Sequence, residues 1–217
     1  MKHKSVIFDL DGTLLDTLGD LADSMNAVLK HANYPMHARE SYRYFVGDGI
    51  RKLVERTLPE TDRNQIMIDK CLARFREEYT NNWDATTAPY EGVVDMLDAL
   101  SGMGVSKAVL SNKPHESVLE CVERYFRESD FDVIQGVCEA VPPKPDTAGA
   151  MSVVNRLGVT PSDVIYVGDT DTDMQTAVAA GFFAVGATWG FRTPEELCQH
   201  GASLLVNYPM ELLEIWA

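Results

Sequence analysis

Four short runs of apolar residues lie along the chain, and none of them alternates with polar positions. They occupy residues 5–10 (SVIFDL), 105–111, 163–169 and 182–188. Short apolar runs without alternation are typical of parallel strands that are buried on both faces. The pattern therefore predicts a parallel β-sheet that other elements cover on both sides.

Helical spacing of apolar residues fills the stretches between the later runs. These stretches are residues 92–102, 114–126, 146–157 and 172–180. Strands that alternate with helices favour a parallel sheet with helices on both faces. The predicted fold class is α/β, with a doubly wound parallel sheet.

Residues 16–84 interrupt this alternation, because they contain helical patterns and no convincing strand. Apolar residues recur there at helical spacing, as in Leu18, Leu21, Ala22, Met25, Val28 and Leu29. We interpret residues 16–84 as a helical cap domain inserted into the core. The core domain would then comprise residues 1–15 and 85–217.

Composition and charge narrow the class of partner. The chain has 217 residues, is 45% hydrophobic and carries a formal net charge of −14, which suits a globular protein and disfavours binding to nucleic acid. Acids and bases nearly balance within residues 16–84, so most of the negative charge lies in the predicted core. We expect a small-molecule partner, with the cap as the less repulsive part for an anion.

Cysteine spacing and hydropathy indicate the compartment. The four cysteines show no CxxC spacing, the apolar run near the N-terminus breaks at Asp9, and no run approaches the roughly 20 apolar residues of a membrane-spanning helix. These features favour a cytoplasmic protein without a membrane partner. The sequence does not indicate the oligomeric state.

Polar residues cluster where the predicted strands end, and ligands of open α/β sheets bind at the carboxyl ends of strands. Asp9 and Asp11 would point to the same side if the first strand continued through both, and their repulsion favours a divalent cation nearby. Asp171 could belong to this site or cap a helix. The other candidates are Ser111, Asn112, Lys113, Lys144, Asp169 and Asp173.

Four motifs then appear in a fixed order: DLDGT, SNK, PPKP and GDTDTD. With them the sequence resembles the haloacid dehalogenase superfamily of Mg²⁺-dependent phosphatases. The helical insertion and the segment VGDGIRKLVERTL resemble its phosphoglycolate phosphatase branch. The resemblance implies an enzyme that hydrolyses a small phosphate ester through an aspartyl-phosphate.

The resemblance also implies roles for individual residues. Asp9 would be the nucleophile, Asp11 the general acid and base, and Lys144 a fixed positive charge beside the reacting group. Mg²⁺ would be held by Asp9, the backbone carbonyl of Asp11, Asp169 and Asp173.

Substrate contacts are predicted in both parts of the chain. Ser111 and the backbone N–H of Asn112 would hold phosphoryl oxygens, and Lys113 would line the substrate entrance or be solvated. In the cap, Arg51 would bind a substrate carboxylate or form part of a solvated helix face. Whether Lys52, Trp189 or Arg192 touches substrate stays open.

Several functions are compatible with these motifs. A small-molecule phosphatase leads, with phosphoglycolate as one candidate substrate. The alternatives are a phosphomutase similar to β-phosphoglucomutase, an inorganic pyrophosphatase, a hydrolytic dehalogenase and a regulatory module phosphorylated on aspartate. A dehalogenase typically lacks the acid found at Asp11.

Overall fold

The computed structural model describes residues 3–216, except for the side chain of Glu128. The strands are β1 (Ser5–Phe8), β2 (Leu15–Asp16), β3 (Ala88–Pro89), β4 (Ser106–Pro114), β5 (Val133–Val137), β6 (Val164–Gly168), β7 (Phe183–Ala187) and β8 (Leu204–Val206). The α-helices are α1 (Leu18–His31), α2 (Tyr42–Phe45), α3 (Ile50–Thr57), α4 (Gln65–Asn82), α5 (Val93–Gly102), α6 (His115–Tyr125), α7 (Ala148–Leu157), α8 (Asp171–Ala180) and α9 (Pro194–Gln199). Short 3₁₀ helices cover Arg39–Ser41, Glu60–Asp62, Glu128–Asp130, Pro161–Asp163 and Pro209–Trp216.

Six strands form one parallel sheet in the order β5-β4-β1-β6-β7-β8. β2 and β3 form a separate two-stranded sheet. The central strands β1 and β6 are buried at every position, as expected when helices cover both faces. The predicted α/β fold with a doubly wound parallel sheet is confirmed.

The first strand is shorter than the apolar run suggests. β1 ends at Phe8, so Asp9 and Asp11 lie in the segment that follows the strand. The condition under which their side chains would share a strand face is therefore not met. Both residues nevertheless stand at the carboxyl end of a central strand.

The core beneath one sheet face consists of interlocking aliphatic and aromatic side chains. Ile7, Leu110 and Tyr166 project from the sheet into a cluster that also contains Val153 and Met174 of the helices α7 and α8. These five side chains are at most 2% exposed. Each buried side chain of this size contributes roughly 1.5–3 kcal/mol of transfer free energy, which stabilises the strand ends on which the polar residues stand.

The chain divides into two compact units, which we name the core unit (Met1–Leu15 with Pro89–Ala217) and the cap unit (Asp16–Ala88). Within the cap unit, α1 and α3 pack against α4. The Asp20 carboxylate accepts hydrogen bonds from the backbone N–H and hydroxyl groups of both Thr86 and Thr87. These bonds tie Thr86 and Thr87 to the first helix of the unit.

Membrane crossing requires a long and apolar helix. No helix within residues 3–216 has that combination of length and hydropathy.

Candidate active site

The segment after β1 turns sharply at Gly12. The backbone N–H of Gly12 donates to the carbonyl of Leu15 (2.8 Å), and Gly12 has a φ of +91°. A side chain there would be strained, and its Cβ would lie 2.3 Å from Oδ2 of Asp169. The glycine after the two acids is therefore required by backbone conformation and by the close approach of Asp169.

Lys144 lies at the centre of a buried charge network. Its Nζ is 2.8 Å from Oδ1 of Asp9 and 2.6 Å from Oδ1 of Asp173. It also donates to the carbonyl of Leu110 and to the hydroxyl of Tyr166, each at 3.1 Å. The Lys144 side chain is 3% exposed, so these contacts fix the ammonium in place.

Asn112 positions the backbone of Lys144. Oδ1 of Asn112 accepts the backbone N–H of Lys144 (2.6 Å), and its Nδ2 donates to the Lys144 carbonyl (3.2 Å). The sequence motif predicted a role for the backbone N–H of Asn112 and gave no sign of this role of its side chain. The contact joins the SNK motif to the PPKP motif in the folded chain, so neither motif predicts it alone.

Asp173 links the first turn of α8 to the lysine. Thr170 caps this helix with a capping box: its Oγ1 accepts the backbone N–H of Asp173 (3.3 Å), and Oδ2 of Asp173 accepts the backbone N–H of Thr170 (3.0 Å). The same Oδ2 also accepts the Thr170 hydroxyl (2.6 Å). Oδ1 accepts from Lys144 and from the Tyr166 hydroxyl (3.0 Å). Both oxygens of Asp173 are thus already engaged, and Asp171 is the first helical residue rather than the cap.

Asp169 lies between the turn after β1 and the loop after β7. Its Oδ1 accepts the Thr13 hydroxyl (2.7 Å), and its Oδ2 accepts the backbone N–H of Phe191 (2.8 Å). A Cβ on Gly190 would lie 2.2 Å from Cβ of Asp169, so a larger residue would displace this carboxylate. Thr13 is the threonine of DLDGT, and its contact with Asp169 was not anticipated.

The electrostatics of this cluster are unfavourable for so many buried carboxylates. Burial and the neighbouring Asp173 raise the pKa of Asp9 to about 7, although Lys144 acts in the opposite direction. Burial, Asp173 and Asp9 likewise raise the pKa of Asp169. Burial would lower the pKa of Lys144, but Asp173 and Asp9 outweigh it and raise that pKa well above its ordinary value. Additional positive charge would therefore favour the ionised carboxylates.

The same residues fit a divalent cation. One carboxylate oxygen from each of Asp9, Asp169 and Asp173 lies within 4.8 Å of the others. The ion pair with Lys144 leaves the buried Oδ1 of Asp9 without a hydrogen bond of good geometry, so its lone pairs could serve a cation. Hard oxygen donors suit Mg²⁺. Since Asp173 already accepts four hydrogen bonds, Asp9 and Asp169 are the better placed ligands.

Lys113 and Ser111 lie at the end of β4, beside this cluster. Nζ of Lys113 is 3.0 Å from Oδ1 and 3.2 Å from Oδ2 of Asp11. The Ser111 side chain is buried, and its Oγ accepts the backbone N–H of Lys113 (3.2 Å). The contact with Asp11 differs from the substrate contact predicted for Lys113, which stays a prediction.

The remaining candidates for substrate contact are Arg51, Arg192 and Trp189. In the cap unit, Arg51 donates from both terminal nitrogens to Oδ1 of Asp69 (2.7 and 2.6 Å). In the core unit, Nε of Arg192 is 3.4 Å from Oδ1 of Asp171, and Nε1 of Trp189 donates to the Thr13 carbonyl (3.0 Å). This hydrogen bond links Trp189 to the turn that contains Thr13.

The acids and the buried lysine lie at the carboxyl ends of parallel strands, where ligands of open α/β sheets bind. Comparisons with known proteins identify the family. The family model described as haloacid dehalogenase-like hydrolase matches residues 6–187. A phosphoglycolate phosphatase from Pseudomonas putida KT2440 is 34% identical over 206 residues, which cover 93% of this chain and 75% of that protein. A phosphoglycolate phosphatase from Chromobacterium violaceum is 32% identical over 221 residues, covering 99% and 97% of the two chains.

Solved structures agree with the sequence relatives. A crystal structure described as a predicted phosphoglycolate phosphatase from Haemophilus somnus 129PT matches with a TM-score of 0.92 at 26% identity, over 100% of this chain and 99% of that one. The chain belongs to the haloacid dehalogenase-like hydrolase family. The predicted superfamily and the prediction of an enzyme are confirmed.

Proposed function

We propose that this protein is a Mg²⁺-dependent phosphatase that hydrolyses a small phosphate monoester, with phosphoglycolate as the first candidate, through an aspartyl-phosphate. The observation that carries the proposal is the buried cluster in which Lys144 contacts both Asp9 and Asp173, with Asp169 alongside. Membership of the family and the names of the relatives support the choice of substrate class.

The first chemical step uses Asp9 as nucleophile. A carboxylate oxygen of Asp9 forms a bond to phosphorus while the bond from phosphorus to the ester oxygen breaks. Asp11 gives a proton to the departing oxygen, which leaves as an alcohol. When bound, Mg²⁺ would supply positive charge against the phosphoryl oxygens and orient them for attack.

The second step returns the enzyme to its starting state. Asp11, now a carboxylate, takes a proton from a water molecule that attacks phosphorus. The bond between phosphorus and the Asp9 oxygen breaks, and inorganic phosphate leaves. Lys144 holds its positive charge against Asp9 throughout, and Ser111 with the backbone N–H of Asn112 would donate hydrogen bonds to the phosphoryl oxygens.

The proposed function is tested by phosphate release from a panel of esters. The panel contains phosphoglycolate, small sugar phosphates, pyrophosphate and p-nitrophenyl phosphate. We expect turnover with Mg²⁺ and loss of turnover in excess chelator, because hard oxygen ligands dominate the site. The names of the relatives lead us to expect the highest kcat/KM for phosphoglycolate. Full activity in chelator would contradict the metal assignment, whereas isomerised sugar phosphate without free phosphate would identify a phosphomutase.

Arg51 tests the predicted contribution of the cap unit to substrate choice. Its pair with Asp69 is exposed on both sides, 45% and 54%, and such surface pairs are worth about 0–1 kcal/mol, so the guanidinium is available to an anion. Arg51→Ala is expected to raise KM for phosphoglycolate about 10-fold, since it removes a charged hydrogen bond, and to leave p-nitrophenyl phosphate unchanged.

Arg74 offers a matched control for that experiment. It is a similarly exposed arginine of the cap unit, 44%, paired with Glu78 at 2.8 Å. Arg74→Ala should leave both substrates unchanged. Equal losses on both substrates in Arg51→Ala would assign Arg51 a structural role instead.

A further inference from the structure

Lys113 carries a buried ammonium that lies on the carboxylate of Asp11. Its side chain is 4% exposed, against 21% for Asp11. The distances from Nζ to the two carboxylate oxygens, 3.0 and 3.2 Å, are nearly equal. A donor between both oxygens restrains the rotation of a carboxylate as well as its position. The contact joins residues 102 positions apart in the chain.

The lysine is the rigid partner in this pair. Lys113 lies near the end of β4, between Leu110 and Pro114, which both pair with β5 although the register shifts between them. Its side chain is 4% exposed, and its backbone N–H donates to Ser111 Oγ. Asp11, in contrast, lies in the turn that follows β1 and is partly exposed to solvent. A carboxylate on a turn has rotational freedom that a proton-transfer group must lose, and the strand-borne ammonium can remove it.

We propose that Lys113 is a positioning residue that holds the Asp11 carboxylate in the orientation required for proton transfer. This inference rests on the proposed function, because it assigns Lys113 to the group that acts as general acid and base there. It differs from the substrate contact considered from the sequence. A substrate contact would act on KM, whereas positioning of Asp11 acts on the rates of the two chemical steps.

Lys113→Met tests the proposal because it keeps an unbranched side chain, one atom shorter, and removes the charge. With a simple alkyl phosphate such as glycerol phosphate, we expect kcat to fall about 10²-fold with little change in KM, as for a misplaced acid–base group. With 2,4-dinitrophenyl phosphate the leaving group needs no proton. Phosphorylation of Asp9 should then stay fast while its hydrolysis slows, giving a burst of about one equivalent of dinitrophenol per enzyme.

Two variants separate positioning from damage to the strand. Lys113→Arg keeps a cation and should restore most of the alkyl phosphate turnover and remove the burst. Lys107→Met changes another buried lysine of β4, whose Nζ is 2.5 Å from Ser101 Oγ, and should show no burst and no selective loss on the alkyl ester. Lys113→Gln repeats the measurement if the Met variant fails to fold.

A double variant provides the sharpest test. When Asp11→Asn has already removed the carboxylate, Lys113→Met should add little further loss, because both changes act on one group. Additive losses, a raised KM without a burst, or slow release of the first equivalent of dinitrophenol would overturn the inference. If the wild-type protein released phosphate from no ester, the proposed function would fail and this inference with it. A turning-over wild type with a burst-free Lys113→Met would refute the inference alone.

Discussion

Asp9→Asn is expected to abolish phosphate release, with kcat lowered by a factor on the order of 10⁶, the scale seen when a catalytic nucleophile is removed. The amide cannot form the bond to phosphorus, and no covalent phosphate should appear on the protein. Asparagine has nearly the same size, and Lys144 keeps its contact with Asp173, so the buried network remains largely in place. Steady-state phosphate release and intact-protein mass measure the two effects.

The control for Asp9→Asn is the folded state of the variant. Its unfolding temperature in metal-free buffer should stay close to that of the wild type, because the substitution also removes a carboxylate that repels Asp173. A folded variant that retained activity within about 10²-fold of the wild type would rule out Asp9 as the nucleophile, since assistance of that size is typical of auxiliary groups.

Asp11→Asn should fail in a different way, by trapping the intermediate. The nucleophile remains, so an aryl or acyl phosphate, whose leaving group needs no proton, should still phosphorylate Asp9. Without a base for water, breakdown of the adduct should slow by about 10²–10⁴-fold, the usual range for general acid–base assistance. Rapid quenching followed by mass measurement should show one added phosphate, mapped to the peptide that contains Asp9.

The double variant Asp9→Asn with Asp11→Asn is the matched control for this trap and should show no adduct. An adduct that maps to Asp11 or Ser111 would reverse the division of roles between the two acids. Failure to accumulate any adduct in single-turnover conditions would mean that Asp11 is not the base for hydrolysis.

The sequence predicted the parts of the fold that its local pattern determines. The apolar runs identified β1, β4, β6 and β7, because central parallel strands are buried on both faces. It missed β5, where Gln135 and Gly136 interrupt the apolar run, and β8, a short strand whose Leu204 is 39% exposed. Such strands gain their stability from neighbours that a local pattern does not reveal.

The candidate site shows the same limit at the level of side chains. Ligands of open α/β sheets bind at the carboxyl ends of strands, and this generalisation selected residues that the structure does bring together, such as Asp9, Lys144 and Asp169. Tyr166 was not predicted, because in the apolar run VIYVG it is indistinguishable from a core residue. Its hydroxyl nevertheless contacts Asp173. The pairing of Lys113 with Asp11 could not be predicted from the sequence either, because only the folded sheet places β4 beside β1.

The double use of Asp173 has a consequence for how the enzyme tolerates local disorder. One oxygen of this carboxylate closes the first turn of α8, and the other holds the ammonium of Lys144. Fraying of that turn would remove the Asp173 contact of Lys144, whose contacts with Asp9, Leu110 and Tyr166 would remain, so opening of a single helical turn would weaken the charged network. Under the proposed function, we therefore expect the catalytic rate to fall when the start of this helix opens, before global unfolding can be detected.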